Sequence, residues 1–235
     1  MRWKSAILLS EFCIEFRVII VTHTYMMRMQ QEIDQYEKLF QVLDRAVILS
    51  KQQQENVRKF FKYQEFPKDY QLLKEGEISN YLYFLVKGVV RQFYCVEDKE
   101  ITSRFSFEDD FIYSPHSFIL RKPSKENIKS VSNCQFFVTT YEGLQYLYDN
   151  DHSWNKIGRL LMEHYYIELA EWAFLMKTQT AFERYEDLVQ RHPDILDRVK
   201  LGHLASYLGI TQETLSRIRA RYRNQQRRRH LAQEI

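Results

Sequence analysis

The apolar residues of segment 201–223 recur three or four positions apart, which is typical of helices that bury one face. Gly209 interrupts the pattern, and a glycine can take the positive φ that a tight turn between two crossing helices requires. Ala205 leaves room for close packing, and Thr211 offers a side-chain oxygen that can cap a second helix. The segment therefore predicts two helices that pack across a turn. Their shared core is predicted to contain Leu204, Leu208, Ile210, Leu215 and Ile218.

Helical periodicity is also present near the start of the chain, and we predict helix throughout residues 30–64. A polar stretch lies beside the apolar positions, as expected for a helix with one buried face. The apolar stripe consists of Ile33, Tyr36, Leu39, Phe40 and Leu43.

The pattern changes to that of β-strands between about residues 66 and 141. Segment 81–96 is rich in β-branched and aromatic residues and is interrupted by Gly88, and segment 133–141 is a further strand of this kind. Several short strands separated by turns indicate an antiparallel sandwich or barrel. The other predicted features are a turn at 97–99, a strand that alternates Ile101, Ser103, Phe105 and Phe107 on one face, and a loop between Pro115 and Pro123.

A continuous apolar seam predicts one long helix from about Ser153. Further apolar residues point in other directions, so this helix has two surfaces to cover. We expect these to be the chain's own β domain and a second copy of the chain; the alternative is that all of them pack within one chain. Residues 179–199 are predicted to continue as a connecting helix that Pro193 breaks. The seam is Leu161, Tyr165, Leu169, Trp172 and Met176, and the additional apolar residues are Leu160, Ile167, Ala170 and Phe174.

Residues 1–28 are predicted to be an extension outside the folded domains. Segment 6–21 is apolar in outline, but Glu11, Glu15 and Arg17 disfavour a membrane span, because one arginine at the bilayer centre costs roughly 2.5–3.5 kcal/mol. A cleavable signal peptide is disfavoured as well, since the apolar run is short and no small-residue cleavage site follows. A helix on a membrane surface is the alternative. We expect translation to begin at Met26, Met27 or Met29.

The positive charge of the chain is concentrated at its C-terminal end. Residues 198–235 contain 9 Lys and Arg against 2 Asp and Glu, whereas the remainder contains 25 against 29. A basic end of this kind predicts a polyanionic partner. With 235 residues, 45% of them hydrophobic, the chain can form one large or two modest domains and is not expected to be disordered over long stretches.

The three cysteines, Cys13, Cys95 and Cys134, are odd in number and far apart. They predict neither a disulfide framework nor a metal cluster, which indicates a reducing compartment, the cytoplasm. Cys95 and Cys134 fall on predicted strands and are interpreted as core residues. An iron–sulfur cluster is not expected, because it needs several converging thiolates.

The exposed positions of the second predicted C-terminal helix carry side chains that can read DNA. Base edges and phosphates accept contacts from residues of the types found there. An ordinary helical hairpin is the alternative, because small-residue turns between helices are common in α-rich domains. The basic charge of this end favours DNA. The exposed residues are Gln212, Glu213, Ser216, Arg217 and Arg219.

The order of these elements resembles that of the Crp/Fnr family of bacterial transcription regulators over about residues 35–224. In segment 72–94, Gly76 and Gly88 match the glycine-framed hairpins of cyclic-nucleotide-binding-like domains, and segment 213–217 resembles the Glu-x-x-Ser-Arg element of Fnr-like members. The resemblance implies an α+β fold with an N-terminal antiparallel β-roll (double-stranded β-helix or jelly roll) and flanking helices. A long central dimerisation helix and a C-terminal helix-turn-helix domain would follow. The implied domains are 29–150, 151–180 and 181–235.

The resemblance further implies a cytoplasmic, non-enzymatic regulator that forms a homodimer, binds double-stranded DNA and contacts RNA polymerase. In the matching element, Glu213 accepts from a cytosine amino group, Arg217 donates to guanine, and Ser216 makes a lesser contact. The implied DNA-binding residues are Thr211, Gln212, Glu213, Thr214, Ser216, Arg217, Arg219 and Arg221.

The sensor region departs from the cyclic-AMP-binding pattern. Segment 111–131 lacks the Gly-Glu-Leu turn, and Ser124 falls about where the phosphate-binding arginine should be. Without a paired guanidinium a buried phosphate loses its main charge-assisted partner, so we predict that the chain does not bind cyclic AMP. Arg121 and Lys122 could substitute, although loop cations are more often solvated. The candidates for lining whatever pocket remains are Phe111, Tyr113, Ser117, Ser124 and Glu126.

The DNA-binding region departs from the family pattern too. Residues 223–235 lack the alternation of a β-wing, so the wing is predicted to be truncated. We expect its phosphate contacts to pass to Arg227, Arg228 and Arg229, which would add affinity without base specificity.

Enzyme classes are disfavoured. A β-roll resembles a cupin in outline, but cupin metal chemistry needs clustered histidines, and of the seven histidines only His116 lies in the β region. Neither a phosphate-binding glycine loop nor a nucleophile elbow is present in the sequence. Two functions remain. One is a dimeric, sequence-specific regulator that responds to an unidentified effector or acts constitutively; the other is a ligand-binding or protein-interaction module whose basic end binds polyanions without sequence preference.

Overall fold

The computed structural model describes residues 36–233. The predicted extension at 1–28, the candidate start methionines and Ile33 lie outside the described residues. Residues 36–44 are helical (α1), and a second helix, α2, spans Lys51–Phe60. Ser50 begins α2 with a capping box, because its hydroxyl accepts from the Gln53 N–H while the Gln53 side chain accepts from the Ser50 N–H. The prediction of helix throughout 30–64 is therefore wrong at 45–50, and again at 61–64, where α2 has ended and the first strand begins.

Eight strands of the described chain form two four-stranded antiparallel sheets, which confirms the predicted sandwich. The sheet orders are β1-β8-β3-β6 and β2-β7-β4-β5. Leu85 and Phe136 from the first sheet meet Val90 and Ile128 from the second in a buried core. The strands are β1 (Lys62–Phe66), β2 (Gln71–Leu73), β3 (Tyr81–Lys87), β4 (Val90–Val96), β5 (Lys99–Ser106), β6 (Phe111–Ile112), β7 (Asn127–Ser130) and β8 (Cys134–Thr140).

A β-bulge redirects the side chains of β5. The register between β4 and β5 shifts so that Ser103 is left without a partner across the pair. Around this bulge Thr102 and Phe105 are buried, whereas Ile101 is 45% exposed. The predicted alternation of Ile101, Ser103, Phe105 and Phe107 on one face is therefore wrong, because the extra residue reverses the order of inward and outward positions.

Two helices in the β region were not predicted. The loop between the two prolines contains α3 (Pro115–Leu120), which places a proline at the first helical position, where its missing N–H costs nothing. Directly after β8, α4 (Tyr141–Asn150) begins at Thr140, whose side chain accepts from the Gly143 N–H at 3.0 Å. These helices cover one side of the first sheet and bound the space beside it.

The predicted long helix is confirmed as α5 (His152–Thr178). After α5 ends, Thr180 is the N-cap of a new helix, α6 (Ala181–Arg191). The predicted break at Pro193 separates α6 from α7 (Ile195–Arg198). The C-terminal helices are α8 (Leu201–Tyr207) and α9 (Gln212–Gln233). They share a buried cluster with Phe105 of β5, so the C-terminal helices pack directly on the β-roll.

Candidate nucleic-acid interface and cavities

Helices α8 and α9 pack across a tight turn, as the sequence predicts. Three of the predicted core residues, Leu204, Leu208 and Leu215, are fully buried. Ile210, also predicted for this core, is half-buried. Gly209 has a φ of +68°, and the N–H of Ile210 returns to the Ala205 carbonyl at 3.0 Å. The left-handed glycine therefore lets α9 leave the turn at the angle that buries this shared core.

The first turn of α9 is capped by Thr211. Its hydroxyl oxygen lies 3.2 Å from the Thr214 N–H donor, which confirms the predicted cap. The two threonine hydroxyls are also 3.2 Å apart. Gln212 lies against Gly202 of α8, where an added Cβ would come within 2.8 Å of its amide nitrogen. The start of α9 is thus fixed on α8 by short-range contacts.

One face of α9 is open to solvent. Glu213, Ser216 and Arg217 are exposed and lie three and four positions apart, so they share this face. Hydrogen bonds from its own backbone N–H and from the Thr211 hydroxyl hold the pKa of Glu213 below its ordinary value. A carboxylate acceptor and a guanidinium donor therefore stand side by side. The exposed face continues with Ala220, Asn224, Arg227 and Arg228.

Two predicted DNA-binding arginines lie on another side of α9. The guanidinium of Arg221 is 4.2 Å from the centre of the Phe182 ring on α6. Arg219 is half-buried and hydrogen-bonds the Tyr185 hydroxyl; burial raises the pKa of Tyr185, and Arg219 opposes this rise. The structure brings Glu213 together with the Ser-Arg pair and places these two arginines beside α6.

A cavity of about 740 Å³, here called the helical cavity, lies between α1, α3, α4 and α5. The predicted pocket residues Phe111 and Tyr113 line it. Arg104 and Glu168 form an ion pair at 2.9 Å at its polar end. Burial raises the pKa of Asp110, which lines the same end, although Arg104 acts in the opposite direction. The cavity therefore has aromatic walls and one end with paired charges.

A second cavity of about 480 Å³, here called the junction cavity, lies where the β-roll meets α5, α6 and α8. The predicted pocket residue Glu126 lines it, and burial raises the pKa of this carboxyl despite a hydrogen bond from Ser114. Arg104 and Glu168 line this cavity as well as the helical cavity. The five predicted pocket residues are thus not gathered around one space.

Ser117 and Ser124 line neither of these two cavities. The Ser117 hydroxyl accepts from the Ser79 N–H at 2.8 Å and donates to the Lys122 carbonyl at 2.5 Å. The Ser124 hydroxyl donates to the Glu126 carbonyl at 2.8 Å. Both serines are buried, and these bonds hold the loop around α3 in place.

Arg121, a candidate substitute for a phosphate-binding arginine, is committed to contacts within the protein. It donates to the Ser79 carbonyl at 2.7 Å and to the side chain of Asn80. Its guanidinium also lies 4.1 Å from the centre of the Tyr141 ring. These contacts orient the cation along the loop.

Helix α8 is docked on β5 by contacts that the sequence did not reveal. The Ser206 hydroxyl accepts from the Thr102 N–H at 2.9 Å and donates to the Glu100 carbonyl at 3.1 Å. Tyr207 stacks on Trp172 of α5 with ring centres 4.3 Å apart. Partners that lie 35 or more positions apart leave no periodic signal in the sequence, so only the folded chain shows them.

The predicted apolar seam of α5 divides between two sides of the helix. Leu161, Tyr165 and Trp172 are half-buried against the chain. Leu169 is 53% exposed, and the exposed fraction of Phe174 is 63%. The large exposed apolar residues of this helix in the described part of the chain are Met162, Tyr166, Ile167, Leu169, Phe174 and Met176.

Of the two cysteines in the described residues, one is buried and one is exposed. Cys134 is buried as interpreted, and burial raises the pKa of its thiol, but Cys95 is exposed on β4, so its assignment to the core is wrong. Within 36–233, no cluster of His, Cys, Asp and Glu has the arrangement of a metal site. Among the helices described, none combines the length and apolar character needed to cross a membrane.

The sequence matches no protein-family model and no curated protein, but the structure is similar to solved ones. FixK2 from Bradyrhizobium japonicum gives a TM-score of 0.60 at 19% identity, over 70% of this chain and 85% of that one. A regulator from Eubacterium rectale assigned to the Crp/Fnr family gives 0.60 at 14% identity, over 75% and 85%. A CooA mutant from Carboxydothermus hydrogenoformans gives 0.57 at 17% identity, over 75% and 82%. These likenesses confirm the predicted architecture.

Proposed function

We propose that this chain, which has the fold of Crp/Fnr regulators, is a dimeric transcription regulator that reads DNA sequence with the first half of α9. The observation that carries the proposal is the division of that helix. Leu215 and Ile218 are buried toward α8 and its neighbours, while Glu213, Ser216 and Arg217 are exposed on the other side. A helix held this way presents its first turns to the major groove.

The exposed side chains suit a cytosine–guanine edge. Arg217 can donate two hydrogen bonds to the O6 and N7 atoms of guanine, and ionised Glu213 can accept from the amino group of cytosine. Ser216 lies between them and supplies a weaker contact. Thr211, Gln212 and Thr214 are assigned to phosphate or sugar contacts. Arg219 and Arg221 lie on the side of α9 that faces α6, so we assign them only to phosphates outside the groove that α9 enters.

The exposed apolar side of α5 supports a homodimer. Tyr166 is 70% exposed, and Ile167 and Phe174 expose more than half of their surfaces. A two-fold pair of such helices would cover both apolar faces with one interface. A dimer would also place two copies of α9 over two half-sites of DNA. Contact with RNA polymerase and a cytoplasmic location follow from the family resemblance alone.

The effector is proposed to be something other than cyclic AMP. The Ser124 hydroxyl donates to the Glu126 carbonyl and Arg121 donates to the Ser79 carbonyl, so neither is free to hold a cyclic phosphate. Lys122, the other candidate substitute, is exposed on the surface of the loop, so a buried phosphate would find no charge-assisted donor beside these two residues.

The test is a selection of bound duplexes from a random DNA pool by the purified full chain at fixed salt. The proposal expects an enriched motif made of two inverted half-sites. If binding is instead salt-dependent and the same for all sequences, the second candidate function holds: an interaction module with a non-specific basic end. The exposed Arg227 and Arg228 favour that candidate, as does the continuation of α9 as a helix to Gln233.

A further inference from the structure

We propose that the helical cavity binds an uncharged, largely apolar small molecule that carries a hydrogen-bond acceptor. If the chain is a regulator as proposed, this molecule is its effector; that role is the only part of the inference that rests on the proposed function. The binding itself is a property of the cavity and is measured without DNA.

The size and lining of the helical cavity suit a small molecule. Its volume of about 740 Å³ lies inside the range of small-molecule sites, roughly 300–1,000 Å³. Ile119 and Met162 of its lining are exposed, so a ligand can enter from solvent. The apolar walls include Val42, Phe111, Phe118, Leu144, Leu160 and Leu161.

A glycine within α5 shapes one wall. Gly158 lies in the interior of a long helix, where glycine is destabilising by about 1 kcal/mol relative to alanine. A Cβ at this position would lie 2.6 Å from the Tyr148 hydroxyl oxygen. The missing side chain therefore lets the Tyr148 ring lie against α5, where it lines the cavity.

Two phenol groups can donate hydrogen bonds to a ligand. The Tyr113 hydroxyl is paired with the Met162 sulfur at 2.9 Å, and a thioether is a weak acceptor that a ligand oxygen can replace. Burial raises the pKa of Tyr113 to about 12 and also raises that of Tyr148. Both phenols therefore keep their protons at neutral pH and act as donors.

The charged groups at the polar end already have partners. Arg104 pairs with Glu168, which also lies 3.3 Å from His164. Asp109 and Asp110 also line the cavity, and Arg45 is the second arginine in the lining, so acidic and basic groups are both present. No excess positive charge faces the space from these residues, so a phosphate or carboxylate ligand would be desolvated without compensation. An uncharged ligand avoids that cost.

The test measures equilibrium binding of Nile red, a neutral apolar dye with a carbonyl acceptor, to the full chain by its fluorescence. We expect saturable binding at one site per chain. Val42→Trp fills the cavity and should weaken the affinity about tenfold, whereas Val96→Trp, at a position 49% exposed on β4, should leave it unchanged. Tyr113→Phe should weaken binding about threefold or more through loss of a donor.

Several results would overturn the inference. They are absence of saturable binding to the folded chain, equal loss in the two tryptophan variants, and loss on Phe174→Ser, which would put the dye on the exposed side of α5. Circular dichroism checks folding, and Ala46→Phe replaces Val42→Trp if that variant does not fold. Nile red binding by a chain that selects no DNA motif would contradict the regulator function and leave the cavity site standing.

Discussion

Arg198 and Glu108 form a two-pronged ion pair that joins α7 to the loop after β5. Arg198 Nη2 lies 2.5 Å from one carboxylate oxygen and Nη1 lies 3.0 Å from the other. Arg198 also donates to the Gly88 carbonyl at 2.7 Å, and the Gly88 N–H donates to Glu108 at 2.9 Å. One partly buried polar contact therefore ties the helix-turn-helix region to the turn between β3 and β4.

This ion pair should make stability depend on pH. Burial opposes ionisation of Glu108, but hydrogen bonds from Arg198 and Gly88 outweigh it and hold the pKa of Glu108 below its ordinary value of 4.5. The stabilisation is therefore complete above about pH 4.5 and is lost as the pH falls through the lower folded-state pKa. We expect Glu108→Gln to reduce the free energy of unfolding at neutral pH by about 1 kcal/mol and to flatten its acid dependence.

Urea unfolding followed by tryptophan fluorescence at a series of pH values measures this effect. Asp187→Asn is the matched control, because Asp187 pairs with Arg191 one turn along the surface of α6, away from the exposed side of α5. The control should change stability by less than about 0.5 kcal/mol. If both variants lose the same free energy of unfolding, the Arg198–Glu108 pair stabilises the chain no more than an ordinary surface ion pair.

Replacing Gly209 should destabilise the helix-turn-helix. An alanine held at a φ of +68° costs about 1–2 kcal/mol, and its Cβ would lie 3.1 Å from Met176 Cε. Gly209→Asn should lose less, since asparagine enters the left-handed region more readily. Calorimetric melting temperatures of the two variants measure the difference. Alanine at least as stable as asparagine would contradict the left-handed turn.

Arg217 and Arg227 should differ in what they contribute to DNA binding. Arg217→Ala should cost about 1–3 kcal/mol at one base pair and relax the preference there. Arg227→Ala should weaken all duplexes alike and reduce the salt dependence by about one unit of slope. Fluorescence anisotropy with duplexes that differ at single positions separates the two effects. An Arg217→Ala chain with unchanged sequence preference would reject the groove assignment.

A glutamate on the exposed side of α5 should break the proposed dimer. Ile167→Glu would bury two carboxylates in a symmetric apolar interface, so we expect the dimer dissociation constant to rise about a hundredfold or more. Ile48→Glu is the control, because Ile48 is 86% exposed in the turn between α1 and α2. Sedimentation equilibrium measures both. If the Ile167→Glu and Ile48→Glu chains dimerise equally well, the dimer interface does not lie on α5.

The helix-turn-helix could be predicted because its determinants act over short distances. Gly209 permits its turn through its own φ, and Thr211 caps a helix that starts at the next residue. The strands around Gly88 were visible for the same reason, since β-branched runs and a glycine turn are local features. Fold class followed from the order of these elements.

The errors come from features that depend on distant partners. The bulge at Ser103 exists only in the register that β5 adopts against β4. Among the predicted pocket residues, Phe111 and Tyr113 line the helical cavity, whereas Ser117 belongs to the unpredicted helix α3 and its hydroxyl is used in hydrogen bonds within the protein. The sequence gives the types of the residues in this region, but it does not show in which direction each side chain points.

The docking of α8 has a consequence for self-association. β5 is the edge strand of its sheet, and Ser206 bonds to the backbone of that strand at Thr102 and Glu100. Open strand edges are templates on which other chains add strands and aggregate. The helix-turn-helix therefore also shields the edge of the β-roll, and a movement that lifted it away would expose a β edge to neighbouring molecules. Substitutions at Ser206 would then be selected against for loss of solubility even where DNA binding itself was unharmed.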